Sequence, residues 1–220
     1  MNNDFSGKVV LVTGAGKGKG RALAEAFMAR GAFVAVNDMS PINLDELVSR
    51  GGGKVKAYAD DVAKKVAMQA IVNQVEDDFG KIDILINHAA VKPHVDLLAM
   101  DEWDWHRVLD VNLTGMFLSM QSVGRVMREK GSGVILNLIT ATHLEGEKDA
   151  AYLSSMMGAL ELSRLASIEF APYGIHVHAL TTGLTKFHQA DPSIPENFLD
   201  AALFLCELNL FGQIVNVKTE

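Results

Sequence analysis

Hydrophobic residues along this chain come in short unbroken runs that alternate with longer stretches of helical periodicity. Val9-Val10-Leu11-Val12 is the first run, with no polar residue between its apolar ones, the pattern of a strand covered on both faces. Leu23, Ala26, Phe27 and Arg30 follow at helical spacing and stop at Gly31, a residue suited to the left-handed turn that ends a helix. Runs at Ala32 to Val36, Val55 to Ala59, Ile82 to Ile86, Val134 to Ile139, Ile175 to Leu180 and Ile214 to Val217 predict six more strands. Between them the spacing predicts helices at Leu44 to Ser49, along the stripe Met68, Ile71, Val72, Val75 and Phe79, near Trp103 to Arg128, near Ala150 to Phe170, and near Glu196 to Leu208. Such βα alternation leaves a doubly wound open sheet or a closed barrel, and the barrel takes eight units and about 250 residues. With 220 residues and no linker or shift of composition, the chain reads as α/β, one domain over residues 1–220 built on a parallel sheet of seven strands.

Composition narrows the function classes. At 49% hydrophobic and 21% charged residues the chain fills a core and is not disordered. Its formal charge of −7 disfavours phosphate backbones and anionic lipid, so neither nucleic acid nor membrane is an expected partner. The lone Cys206 permits no intrachain disulfide and suits a reducing compartment, the cytoplasm. MNNDFSGKVVLVTG has no basic leader, and no run of ~18 apolar residues occurs, so export and membrane spanning are not expected. His176 and His178 alternate onto one strand face without a third ligand nearby, which predicts packed histidines and no metal. The stripe Leu109, Leu113, Met116, Phe117, Met120, Val123 and Met127 is wider than one buried face needs and predicts self-association as a homo-dimer or homo-tetramer.

The candidate chemistry begins after the first strand, at Thr13-Gly14-Ala15-Gly16-Lys17-Gly18-Lys19-Gly20. A glycine turn between a buried strand and a helix lets a diphosphate approach the backbone, and the helix start supplies N–H donors and a favourable dipole. The pattern G-x-G-x-x-G cannot be laid on these glycines, because Lys19 and Arg21 stand three after Gly16 and Gly18; T-G-x-x-x-G-x-G can. Asp38, at the end of the second strand, is placed to accept hydrogen bonds from the adenine ribose and to repel a 2′-phosphate. Lys17 pulls the other way. Weighing Asp38 more heavily predicts NAD(H) over NADP(H).

With those residues read, the chain resembles the short-chain dehydrogenase/reductase family from about Phe5 to Val217. Thr13 to Gly20 is similar to the family's glycine motif, with Gly14, Lys17, Gly18 and Gly20 as cofactor-binding positions. Asp61-Val62 resembles the pair that touches adenine, and Asn87-His88-Ala89-Ala90 resembles the family's N-N-A-G, altered at two places, with Asn87 and Ala89 as its contacts. Glu102 to Gly115 is similar to the stretch carrying the catalytic asparagine, here Asn112; Thr140 stands where the catalytic serine would, and Tyr152 where the catalytic tyrosine would. Gly183 matches the glycine of a nicotinamide contact, Thr182 replacing the usual proline. The resemblance implies a Rossmann-like fold, a nicotinamide cofactor, and an oxidoreductase acting on a small-molecule carbonyl or secondary alcohol.

The family's Y-x-x-x-K reads Tyr152-Leu153-Ser154-Ser155-Met156, without the lysine that holds the nicotinamide ribose and lowers the tyrosine pKa. A tyrosine at its ordinary pKa of about 10 is ~0.1% ionised at pH 7, a poor base, although its role as acid in carbonyl reduction survives. Lys148, four residues before Tyr152, reads as a solvated loop lysine, while His88 and His143 fall near the matched motifs and could face substrate or fill the pocket. The segment near 184–195 is shorter than the family's usual substrate lid and predicts an open pocket, and the last residues carry no counterpart of the family's glycine pair and tail. Three readings follow: an NAD(H)-dependent oxidoreductase of impaired turnover using Tyr152, Thr140 and Asn112; a catalytically silent NAD(H)-binding sensor or structural partner; and a binder of an apolar ligand.

Overall fold

A computed structural model describes residues 4–140, 150–182, 195, 197–207 and 212–217. Seven parallel strands form one sheet in the order β3-β2-β1-β4-β5-β6-β7. They are β1 Val9–Thr13, β2 Phe33–Asp38, β3 Val55–Ala59, β4 Ile84–Asn87, β5 Gly133–Thr140, β6 Ile175–Thr182 and β7 Ile214–Val217. The helices are α1 Gly18–Ala29, α2 Ile42–Arg50, α3 Lys65–Phe79, α4 Glu102–Leu109, α5 Gly115–Lys130, α6 Ala150–Phe170 and α7 Phe198–Glu207.

The unbroken apolar runs are explained by two separate cores. Val9 and Leu11 of β1 pack with Met68, Ile71 and Val75 of α3, with Met120 and Val123 of α5 and with Ala159 of α6. Val10 and Val12 point the other way, onto Leu23 and Phe27 of α1, Leu44 and Leu47 of α2 and Ala201 of α7. A strand alternates its side chains between faces, so only a sequence apolar at every position can serve both layers.

The single helix expected near Trp103 to Arg128 is divided. Between α4 and α5 lies a π-helical turn, Asp110–Thr114, whose wider hydrogen-bonding loop no residue-type preference announces. The wide apolar stripe also proves to be mostly core: Met116, Met120, Val123 and Met127 are buried within this chain, while Phe117 stays exposed. Among the described residues no helix is long and apolar enough to cross a membrane.

Strand order reverses between β1 and β4, which opens a crevice at the carboxyl ends of the strands, where open α/β sheets take their ligands. His176 and His178 lie at the far side of the sheet on β6, their rings nearly parallel at 6.5 Å between centroids. His178 is fully buried; its Nδ1 accepts the Gln213 N–H at 3.3 Å and its Nε2 meets no partner among the described residues. Burial, with His176 nearby, pushes its pKa down to about 4. The unfolded chain therefore takes a proton on this ring near pH 6.5, but the folded chain only near 4. Stability is full above that window and falls as pH drops through it, by about 3 kcal/mol in all. Urea midpoints measured from pH 7 to 4 are expected to decline less steeply in His178→Gln than in the parent chain.

Candidate functional site

The glycine turn bridges the end of β1 and the start of α1, and its glycines answer to different constraints. Gly14 has φ +65°, and a Cβ there would stand 2.8 Å from the Ala89 Cα. At Gly16 a Cβ would meet Asp38 Oδ2 at 2.6 Å, and at Gly20 it would meet His88 Nδ1 at 2.4 Å. These three positions have no room because the protein itself fills it. Gly18, with φ +57°, faces open space. Lys17 is exposed beside it at the N-cap of α1 and makes no side-chain cap, and the first turn of α1 carries no acidic residue. The α1 start therefore retains its positive dipole end toward the crevice.

Side chains from neighbouring strands brace the turn. The Gly16 N–H donates to Asp38 Oδ2 at 3.1 Å, while Asp38 Oδ1 accepts the Ser40 N–H at 3.1 Å. The Thr13 hydroxyl accepts from the His88 and Ala89 N–H groups at 3.1 and 3.3 Å and reaches the Ile86 carbonyl at 3.4 Å, tying the end of β1 to the end of β4. His88 Nδ1 lies 3.0 Å from the Gly14 carbonyl, which can only accept, so this nitrogen carries the proton. Burial holds the ring's pKa below the usual histidine value, against the pull of the Gly14 carbonyl. The ring is thus neutral at pH 7 and adds no charge to the turn.

The cleft that opens here is lined by Gly14, Lys17, Asp38, Asp61, Val62, His88, Ala89, Val91 and Arg107. Asp61 accepts from Arg107 Nη1 at 3.0 Å and from the Ala63 N–H at 3.0 Å, while Val62 is buried against Gly115 at the end of the π turn. Arg107 was not singled out from the sequence. An arginine on an amphipathic helix reads as solvated, and only the fold carries it 46 residues back to Asp61. The Asn87 side chain is buried and hydrogen-bonded inside the fold. Its amide donates to Asn137 Oδ1 at 2.8 Å and its carbonyl accepts from the Ser119 hydroxyl at 2.6 Å, and Asn137 donates on to Ser163 at 2.8 Å. This buried ladder cross-links β4, β5, α5 and α6.

On the other side of the crevice stand Thr140, partly exposed as the last residue of β5, and Tyr152, buried in the first turn of α6. Asn112, fully buried in the π turn, accepts the Val91 N–H at 2.8 Å, and its amide donates to the Val91 carbonyl at 3.1 Å and to Ser155 Oγ at 3.0 Å. Ser155 in turn donates to the Tyr152 carbonyl at 2.6 Å. Met156 is 2% exposed and belongs to the apolar layer beneath α6. Lys92 Nζ lies 5.2 Å from the centroid of the Tyr152 ring. Neither Ser155 nor Lys92 carries a sequence signal of its own; both gain meaning from Asn112. Gly183, His143 and Lys148 lie outside the described residues. Among the described residues no three His, Cys, Asp or Glu side chains converge as metal ligands.

Comparison with known proteins agrees with this geometry. The family described as short chain dehydrogenase matches residues 8–196. A D-threitol dehydrogenase of Mycolicibacterium smegmatis is 35% identical over 181 residues, 80% of this chain and 70% of that one. An NAD-dependent glycerol dehydrogenase of Listeria innocua is 32% identical over 184 residues, 82% of this chain and 72% of that one. The crystal structure of a short-chain type dehydrogenase/reductase from Mycobacterium marinum superposes with a TM-score of 0.87 at 26% identity, covering 98% of this chain and 95% of that one. The chain belongs to the short-chain dehydrogenase/reductase family of oxidoreductases.

Proposed function

We propose that this protein reduces a small carbonyl, or oxidises the matching secondary alcohol, with NAD(H) preferred over NADP(H). The observation that carries the reading is one short stretch of loop after β4. His88 at its start lies under the glycine turn, 3.0 Å from the Gly14 carbonyl, and Lys92 at its end lies over the Tyr152 ring. This stretch of loop thus runs from the proposed nucleotide cleft to the tyrosine. A bound nicotinamide dinucleotide supplies or accepts the hydride. The N–H groups at the start of α1 beside Gly18 suit its diphosphate, and the open space there leaves room for it. Asp38 retains acceptor capacity beyond its bonds to Gly16 and Ser40 for ribose hydroxyls, and its charge opposes a 2′-phosphate. Asp61, Val62, Ala89 and Gly183 complete the proposed cofactor contacts.

In reduction, the Tyr152 hydroxyl gives its proton to the carbonyl oxygen, which the Thr140 hydroxyl also hydrogen-bonds. Asn112 acts as a brace rather than as a proton carrier, since its amide is fully engaged. The buried Met156 gives a specific reason for a second reading, a silent NAD(H)-binding protein, because no charge enters from that helix position. The single cysteine, Cys206, forms no intrachain disulfide, which suits the reducing cytoplasm as the proposed location. The groove between α5 and α6, where Phe117 and Leu165 are exposed, is the proposed self-association face.

Titration with NADH and NADPH is expected to give the tighter binding for NADH, and Asp38→Ser is expected to narrow that preference by about tenfold, ~1.4 kcal/mol. Tighter binding of NADPH by the parent chain would overturn the cofactor assignment. Assayed on a panel of ketones and secondary alcohols, Tyr152→Phe is expected to lose more than about a hundredfold in kcat with NADH affinity retained, the usual scale of general acid–base catalysis. Turnover that appears only in Met156→Lys would favour the silent reading. Light scattering after gel filtration is expected to show Leu165→Glu dissociating at least about tenfold more readily than the parent chain, because the change puts an unpaired charge in an apolar face.

A further inference from the structure

A tyrosine hydroxyl that gives up and regains a proton in each turnover works best with a cation close by, since its ordinary pKa of about 10 leaves the deprotonated form scarce. In this chain the helix position one turn beyond Tyr152 holds the buried, neutral Met156. A cation stands elsewhere. Lys92 Nζ lies 5.2 Å from the Tyr152 ring centroid, inside the range at which an ammonium is drawn to an aromatic face. That attraction grows when the phenol loses its proton, because a full negative charge then replaces the ring quadrupole opposite the ammonium.

The placement is built rather than incidental. Lys92 precedes Pro93, whose ring keeps the lysine backbone extended. Its other neighbour, Val91, is held through both backbone groups by Asn112, at 2.8 and 3.1 Å. The same Asn112 amide donates to Ser155, and Ser155 donates to the Tyr152 carbonyl. The strand-to-helix loop that carries the lysine and the helical turn that carries the tyrosine are therefore fastened to one buried side chain. A lysine on an unbraced surface loop would lose more backbone freedom to reach the same place.

We infer that Lys92 is a positioning residue for Tyr152, supplying from the loop after β4 the positive charge that residue 156 does not, and favouring the ionised phenol. This rests on the proposed reading of Tyr152 as the proton donor, but its physical content, a titration of one phenol, can be measured without a substrate.

The chain has three tyrosines, so subtracting the ultraviolet tyrosinate titration of Tyr152→Phe from that of the parent isolates the phenol of Tyr152. Against that baseline Lys92→Met is expected to raise the midpoint by about one pH unit, equal to a tenfold loss of ionised phenol at fixed pH, and Lys92→Arg to keep it near the parent value. In assays on ketones and alcohols the limb of the kcat/KM profile that reports Tyr152 should move by the same amount. A midpoint that does not move in Lys92→Met would overturn the inference, whatever the turnover. A midpoint that moves in a protein that turns over none of the panel would uphold the lysine's role and overturn the proposed reaction instead.

Discussion

A buried amide must find partners for its carbonyl and both of its N–H groups, and the way Asn112 finds them organises the working edge of this protein. Its carbonyl and one N–H take the two backbone groups of Val91, and the remaining N–H takes Ser155. Leaving any of these groups unmet in the interior would cost on the order of 1–3 kcal/mol. The loop after β4, the π turn and the first turns of α6 are thereby fixed relative to one another. The π turn itself has a local purpose on this view. A wider turn re-aims one side chain without ending the helix, and Asn112 is the residue so aimed.

The opposite half of the crevice is held by a different device, mutual crowding. Gly14, Gly16 and Gly20 each stand where an added methyl group would strike Ala89, Asp38 or His88. The turn keeps its shape because strands β1, β2 and β4 press on it, and Thr13, Asp38 and His88 add hydrogen bonds at each contact. A turn held in one shape before any ligand arrives is preorganised. His88 contributes by remaining neutral, its proton on the Gly14 carbonyl side.

Asn87 and Met156 show how a familiar residue pattern can serve the interior instead of the ligand. Asn87 occupies a position matched to cofactor contact, yet its side chain closes a ladder through Asn137 and Ser163 that lets two strands and two helices meet around buried polar groups. Met156 occupies the position of a cation and packs as core. Among the described residues, the loop after β4 brings a cation to the tyrosine ring, Lys92 at 5.2 Å.

The parallel sheet and the glycine turn were legible in the sequence, because two-sided burial forces unbroken apolar runs and a turn crowded by its neighbouring strands forces glycines between a strand and a helix. The family resemblance singles out Asn112, Thr140 and Tyr152 as candidates, while Asp38 is read from its place at the end of the second strand. The π turn was not legible, since it depends on what Asn112 must reach and not on helix propensity. Nor were the Arg107–Asp61 and Lys92–Tyr152 pairs, whose members are 46 and 60 residues apart in the chain. The apolar stripe on α5 showed the limit from the other side: periodicity revealed that those side chains are covered, but only packing decided that most are covered by this chain's own core. Local pattern records which residues avoid water, while the partner each one finds depends on the folded path of the whole chain.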